Sequence, residues 1–255
     1  MIDYSGAVKR AWKYSTDARR LGTVFLAFLV ACIIVLSPLV FIYKSLAGVF
    51  NILMAIKFFV WFFAGAVVAV LILLYIILMF THNYANSKGR PGSLRKSAGF
   101  AFSRYPRLLA VVIVSGLITF VLSAVPFIGF ILAIVAGLAF FFIYQEVAFN
   151  SSFFNALRNS YSIFMRNKLA VVTTLVITAI LAFLVVIIFA APFLAIGIFS
   201  MVASMQSGAF MQTFMSNLGA LAVSGLIFLA GVAFSVLFTN SIKTDVYMQL
   251  KKKRK

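Results

Sequence analysis

A chain of 255 residues that is 64% hydrophobic, with a mean hydropathy of +1.14, lies far outside the range of soluble domains, where apolar residues make up roughly half of the total. Its 22 Lys and Arg against 4 Asp and Glu give a net charge of +18, and so few carboxylates with a single histidine leave little material for hydrolytic or metal chemistry. The composition predicts an all-α polytopic membrane protein without enzymatic activity, cofactor or metal, and the single Cys32, inside an apolar run, excludes an intrachain disulfide.

The N-terminal 20 residues are basic and carry helical spacing. Tyr4, Val8, Ala11 and Trp12 share one face, with Lys9, Arg10 and Lys13 beside it. Basic amphipathic helices of this kind lie in the membrane interface. Residues 21–43 follow as a first span, longer than the apolar region of a signal peptide. It ends near Pro38, in Ser37-Pro38-Leu39, with Lys44 beyond. Residues 58–81 form a second span, with Lys57 and Trp61 as anchors at its outer mouth and His82 and Asn83 as interfacial hydrogen-bonding groups at its other end. A lone histidine makes no metal site.

A second basic stretch, 88–107, repeats the amphipathic pattern. Leu94, Ala98, Phe102 and Tyr105 share a face, flanked by Arg95, Lys96 and Arg104. The uncharged run 108–144 is too long for one crossing. Val125-Pro126-Phe127-Ile128-Gly129 supplies a turn near its middle, so the run is expected to be two spans joined by a tight outer hairpin. Glu146, with Gln145 beside it, closes the fourth span and is the only acid inside a predicted span. An intramembrane ionisable group is a functional candidate by default, but its shallow position favours an ion pair to Arg158, Arg166 or Lys168 that orients the next helix. Proton coupling is the sharper alternative.

The third amphipathic segment places Phe154, Leu157, Tyr161 and Phe164 on one face, with Arg158 and Arg166 beside it and Lys168 at the entry to the fifth span, 169–190. That span ends near Pro192, in Ala191-Pro192-Phe193. An uncharged outer loop, 196–217, holds Met201, Met205, Met211 and Met215 and reads as a partly inserted lid in preference to a copper site. The sixth span, 218–239, is rich in small residues, Gly219, Ser224, Gly225, Gly231 and Ser235, which let helix backbones approach. The chain closes on Lys251-Lys252-Lys253-Arg254-Lys255, a topological stop and lipid-binding patch.

All Lys and Arg except Lys44 and Lys57 fall in four segments that alternate with poor gaps. Basic residues near span ends stay on the cytoplasmic side. Both termini are therefore expected in the cytoplasm of a multi-pass cell-membrane protein. Each amphipathic segment leads through a basic residue, Arg20, Arg107 or Lys168, into a span ending near Pro38, Pro126 or Pro192. One domain of three parallel pseudo-repeats, about 1–87, 88–152 and 153–255, accounts for this recurrence, with the prolines as turns or hinges.

Glu146, Ala156-Leu157-Arg158-Asn159-Ser160-Tyr161-Ser162-Ile163 and Arg166-Asn167-Lys168, with the turn Pro126-Phe127-Ile128-Gly129, give the chain a family resemblance. It resembles the six-span membrane domain attached to some glycerophosphoryl diester phosphodiesterases, and related small bacterial and archaeal membrane proteins. The resemblance implies a membrane domain alone, because the His and Glu metal-site residues of the catalytic domain have no counterpart here. The expected function is a non-enzymatic one. Lys9, Arg10, Lys13, Arg95, Lys96, Arg104, Arg158, Arg166 and Lys168 would form a basic collar that engages anionic phospholipid headgroups and organises bilayer, membrane protein partners or a homo-oligomer. Nucleic acid is not an expected partner, because the cations flank apolar runs. A transporter or permease for a lipid-like or small apolar solute is the alternative, gated at the three prolines.

Overall fold

The computed structural model describes residues 2–38, 52–87, 92–149, 152–207 and 216–252, all helix and connecting turn with no strand. Lys44, Lys88, Arg90, Met211, Met215 and the last three basic residues lie outside the described residues. Two of the four acids start helices. Asp3 caps α1 (Tyr4–Ser15), accepting from the Gly6 N–H at 2.7 Å, and Asp17 caps α2 (Ala18–Leu36), accepting from the Arg20 N–H at 3.1 Å. The second cap falls immediately after α1 and separates it from the span.

The next helix, α3 (Ile52–Ser87), contains the second span. In the following segment the expected interfacial helix is not separate. A single helix, α4 (Leu94–Ser123), runs from the Ser93 cap through Pro106 to the turn at 124–128. Where Asp17 separates α1 from α2, Tyr105-Pro106-Arg107 offers no capping oxygen, and proline removes only one backbone donor from the ladder.

The hairpin forms at the expected residues. Phe127 takes a left-handed φ of 63°, and the Gly129 backbone lies so close to the Ser123 carbonyl that a Cβ has no room. The fourth span is broken. It consists of α5 (Gly129–Ala139), a turn at 140–142 and α6 (Ile143–Ala148). The Ala139 carbonyl at the break accepts a buried hydrogen bond from the Ser160 hydroxyl, 2.8 Å, which satisfies a group that a continuous helix would have used.

A short α7 (Phe153–Arg166) and Asn167 precede α8 (Lys168–Ser207), which continues through Pro192 for another 15 residues. Pro192 is therefore not a turn, and the expected outer loop is helical as far as Ser207. The last helix, α9 (Leu218–Lys252), extends well past the expected end of the sixth span. Six helical stretches are long and apolar enough to cross a bilayer: Ala18–Leu36, Ala55–Ser87, Leu94–Ser123, Gly129–Ala148, Lys168–Ala203 and Leu218–Lys252.

Central to the packing is α9, against α8, α1, α2 and α3. Gly231 meets Phe189 of α8 with no space for a Cβ, and Gly65 of α3 lies where a Cβ would meet the Ile34 carbonyl of α2 at 3.0 Å. Both hydrophobic clusters involve the end of the bundle that carries the described basic segments. One gathers Val24, Leu78, Phe80, Leu108, Val111 and Val147, and the other Ala11, Phe142, Val171, Phe238, Ile242 and Tyr247. Away from that end, Phe59, Phe63, Phe120, Phe130, Phe183 and Phe199 are exposed. Such a surface suits hydrocarbon and not water.

Candidate functional site

Hydrogen bonds draw the four basic segments together at one end. α1 reaches α9 through Arg10 and Asp245, α3 through Tyr14 and Asn83, and α8 through Tyr4, whose hydroxyl donates to the Ala170 carbonyl at 3.2 Å. Asp3 and Gln249 clasp each other. The Asp3 N–H donates to Gln249 Oε1 at 2.9 Å, and Gln249 Nε2 donates to the Asp3 carbonyl at 3.3 Å.

Asp245 is the anchor of the first cluster. It is 5% exposed, and its carboxylate accepts from Arg10 Nε at 2.8 Å and Arg10 Nη2 at 2.9 Å, from the Tyr84 hydroxyl at 2.8 Å and from Gln249 Nε2 at 2.8 Å. Two parallel bonds from one guanidinium form the strong fork geometry. The hydrogen bond to Asp245 raises the Arg10 pKa above its ordinary value. Arg10, expected among the headgroup cations, is thus paired with the protein's own carboxylate while its side chain stays half exposed.

Glu146, 1% exposed, anchors the second. Its Oε1 accepts from the Tyr247 hydroxyl at 2.8 Å and its Oε2 from Asn159 Nδ2 at 3.2 Å. Lys251 Nζ donates to the Tyr247 oxygen at 3.0 Å. The expected tie between Glu146 and α7 exists, but through Asn159, one residue beyond Arg158. Since α7 also donates through Ser160, two consecutive side chains fasten it beneath the break in the fourth span.

Between these clusters lies a buried amide layer. Asn240 Nδ2 donates to Thr81 Oγ1 at 3.0 Å, while Gln145 Nε2 lies 3.4 Å from Asn240 Oδ1 and 3.5 Å from Thr244 Oγ1. A further chain links α1, α3 and α4. The Tyr14 hydroxyl donates to Asn83 Oδ1 at 2.7 Å, and Asn83 Nδ2 donates to Ser97 Oγ at 3.2 Å. Burial raises the Tyr14 pKa. Arg20 lies 4.0 Å over the Tyr14 ring, a cation–π contact that ties α2 to α1. His82 stacks on Phe100 with ring centroids 3.8 Å apart and bonds Ser97 and Asn86. Among the described residues no group of His, Cys, Asp and Glu can hold a metal.

The other proposed headgroup cations are mostly open. Lys9, Lys13, Arg95, Lys96, Arg158, Arg166 and Lys168 are exposed, while Arg104 is half-buried with its guanidinium 5.7 Å over Phe100. The apolar face of α1 faces protein more than expected. Ala7 and Ala11 are fully buried and Tyr14 nearly so, whereas Trp12 is 55% exposed with edge contacts to Phe234 and Phe238.

Sequence reasoning missed Asp245, Asn240 and Tyr247 because it ended the sixth span at residue 239, and Tyr84 because it ended the second at residue 81. The available signal was a polar stripe, Asn240, Thr244, Tyr247 and Lys251, at steps of three and four. No family model matches the chain, and comparison with curated proteins and with solved structures found no match.

Proposed function

We propose that this is a non-enzymatic integral membrane protein that holds its basic end against an anionic leaflet and organises lipids, and through them membrane partners, at that surface. One observation carries the reading. The carboxylates are committed within the protein, Asp3 and Asp17 as helix caps and Asp245 and Glu146 in buried clusters, so a net charge of +18 needs anions from outside. Each Lys or Arg near an anionic surface contributes about 1 kcal/mol, and seven of the collar cations are exposed at one end.

On this reading the basic end is cytoplasmic. The helices α1 and α7 and the first turns of α4 are three related interfacial segments, each feeding a span, in a chain built from three parallel repeats. Kinship with the membrane domain of glycerophosphoryl diester phosphodiesterases fits a role of this kind. Lipid co-purification from membranes of mixed composition tests it. Protein released in mild detergent should carry anionic lipid in excess of its abundance, and the excess should fall when Arg95, Lys96, Arg158 and Arg166 are all replaced by Gln. An unchanged lipid profile would sink the reading.

A further inference from the structure

One cation at the basic end stands apart from the collar. Lys243 of α9 is half-buried, and its Nζ lies 4.6 Å from the centroid of the Phe141 ring at the break in the fourth span. It makes no hydrogen bond or ion pair among the described residues. Neither buried carboxylate serves it, since Asp245 holds Arg10, Tyr84 and Gln249 while Glu146 holds Tyr247 and Asn159. An ammonium group out of bulk water is costly without an anion, and a ring face compensates only in part.

The surroundings of Lys243 define what could reach it. Gly225, Val232, Thr239 and Lys243 share one face of α9 at steps of seven, seven and four, and all are half-buried. The principal packing partners of α5 are α4 and α7, and those of α8 are α9 and α7. Leu138 at the end of α5 and Phe141 just after it, with Leu181 and Val185 of α8, pack against the cluster that holds Phe238 and Ile242 of α9, and Lys243 lies over Phe141, so this face of α9 runs along a seam between the end of α5 and α8. Along α5, Ile131 and Ile134 are exposed and point the same way as Leu138 by helical spacing, one turn before Phe141.

Depth agrees. Counting about 20 residues at about 1.5 Å each from Leu218 spans a hydrocarbon core of about 30 Å and ends at Phe238. Lys243 then lies about 7 Å further, at the level of lipid phosphates. An apolar seam that ends in a cation at phosphate depth matches a phospholipid with its chain in the seam and its headgroup below.

We propose that the seam binds one anionic phospholipid, its phosphate on Lys243 Nζ and an acyl chain along Thr239, Val232 and the exposed face of α5. The proposal deepens the lipid-engaging reading by assigning a single tight site distinct from the diffuse collar. It is tested by native mass spectrometry of protein exchanged into nanodiscs of phosphatidylcholine doped with phosphatidylglycerol. The wild type should retain one phosphatidylglycerol after the other lipids have been stripped. Lys243→Gln should lower that retained fraction at least tenfold, and Lys243→Arg should preserve it. Val232→Trp, which fills the seam and leaves the cation in place, should expel the same lipid and provides a second route should Lys243→Gln fail to fold. The variant with Arg95, Lys96, Arg158 and Arg166 all replaced by Gln should keep this one lipid while losing the loosely held ones. Retention of phosphatidylglycerol unchanged in both Lys243→Gln and Val232→Trp, or retention of phosphatidylcholine equally well by the wild type, would overturn the site. Loss on Lys243→Gln together with an unaltered profile in the collar variant would keep the site and reject the collar alone.

Discussion

Arg10 and Asp245, 235 residues apart in the chain, form a two-point salt bridge with Nε at 2.8 Å from Oδ2 and Nη2 at 2.9 Å from Oδ1. The carboxylate is nearly buried while the guanidinium remains half in solvent. The bridge therefore holds α1 to the last helix from outside, and its removal strands a buried charge.

Arg10→Gln should lower stability by about 1–3 kcal/mol, because Asp245 would keep only Tyr84 and Gln249 as donors. Arg10→Lys should recover part of the loss, since an ammonium lacks the planar fork. Unfolding in mixed micelles for both variants, with Asp245→Asn completing a double-mutant cycle, measures this. A coupling below about 0.5 kcal/mol would contradict it.

The Glu146 cluster makes a local prediction. Tyr247→Phe removes a short donor from a carboxylate that is 1% exposed, and a loss of about 1–3 kcal/mol is expected. Ser160→Ala leaves the Ala139 carbonyl at the helix break without its side-chain donor. Both changes should raise hydrogen exchange in α7 and α6 more than in α2, a difference that peptide-resolved exchange reads directly.

Gln145 behaves differently from its neighbours. Its Nε2 contacts are long and its Oε1 is buried without a hydrogen-bond partner. Gln145→Met should be close to neutral, since it removes a buried acceptor along with weak bonds, whereas Asn240→Leu should destabilise by about 1–2 kcal/mol through the Thr81 contact. Equal losses in the two variants would show that the amide layer acts otherwise.

Two glycines of α9 should separate packing from propensity. Gly231→Val drives a side chain into Phe189 and should cost about 1–3 kcal/mol or more. A Cβ at Gly219 meets nothing within 4 Å, so Gly219→Ala should be neutral or stabilise by up to about 1 kcal/mol. Thermal unfolding in one detergent compares them.

Sidedness follows from positions at opposite ends of the bundle. With Cys32 replaced by Ala, a cysteine at Phe127 in the hairpin should react with an impermeant maleimide from outside intact cells. Cysteines at Lys13 or Ser93 should react only after permeabilisation. Reversed labelling would overturn the cytoplasmic assignment of the basic end.

The number of membrane-length apolar helices, the hairpin at Pro126 and the gathering of cations at one end were legible in the sequence, because hydropathy and charge act locally. Partition into hydrocarbon depends on each 20-residue window taken alone. Glu146 stood out for the same reason, as a lone acid in an apolar window. Asp245 did not, because it follows Lys243 in a segment that reads as a polar exit.

What tertiary structure alone decided is where helices stop and which polar groups meet. The break at 140–142 exists because Ser160 is there to satisfy Ala139, and α8 passes Pro192 because one missing donor does not end a helix whose neighbours continue to pack. The Arg10 fork and the Tyr84 hydroxyl reach Asp245 from helices far away in the chain. Hydrogen-bond energy depends on distance and angle between partners, and no one-dimensional pattern encodes those before the bundle has closed.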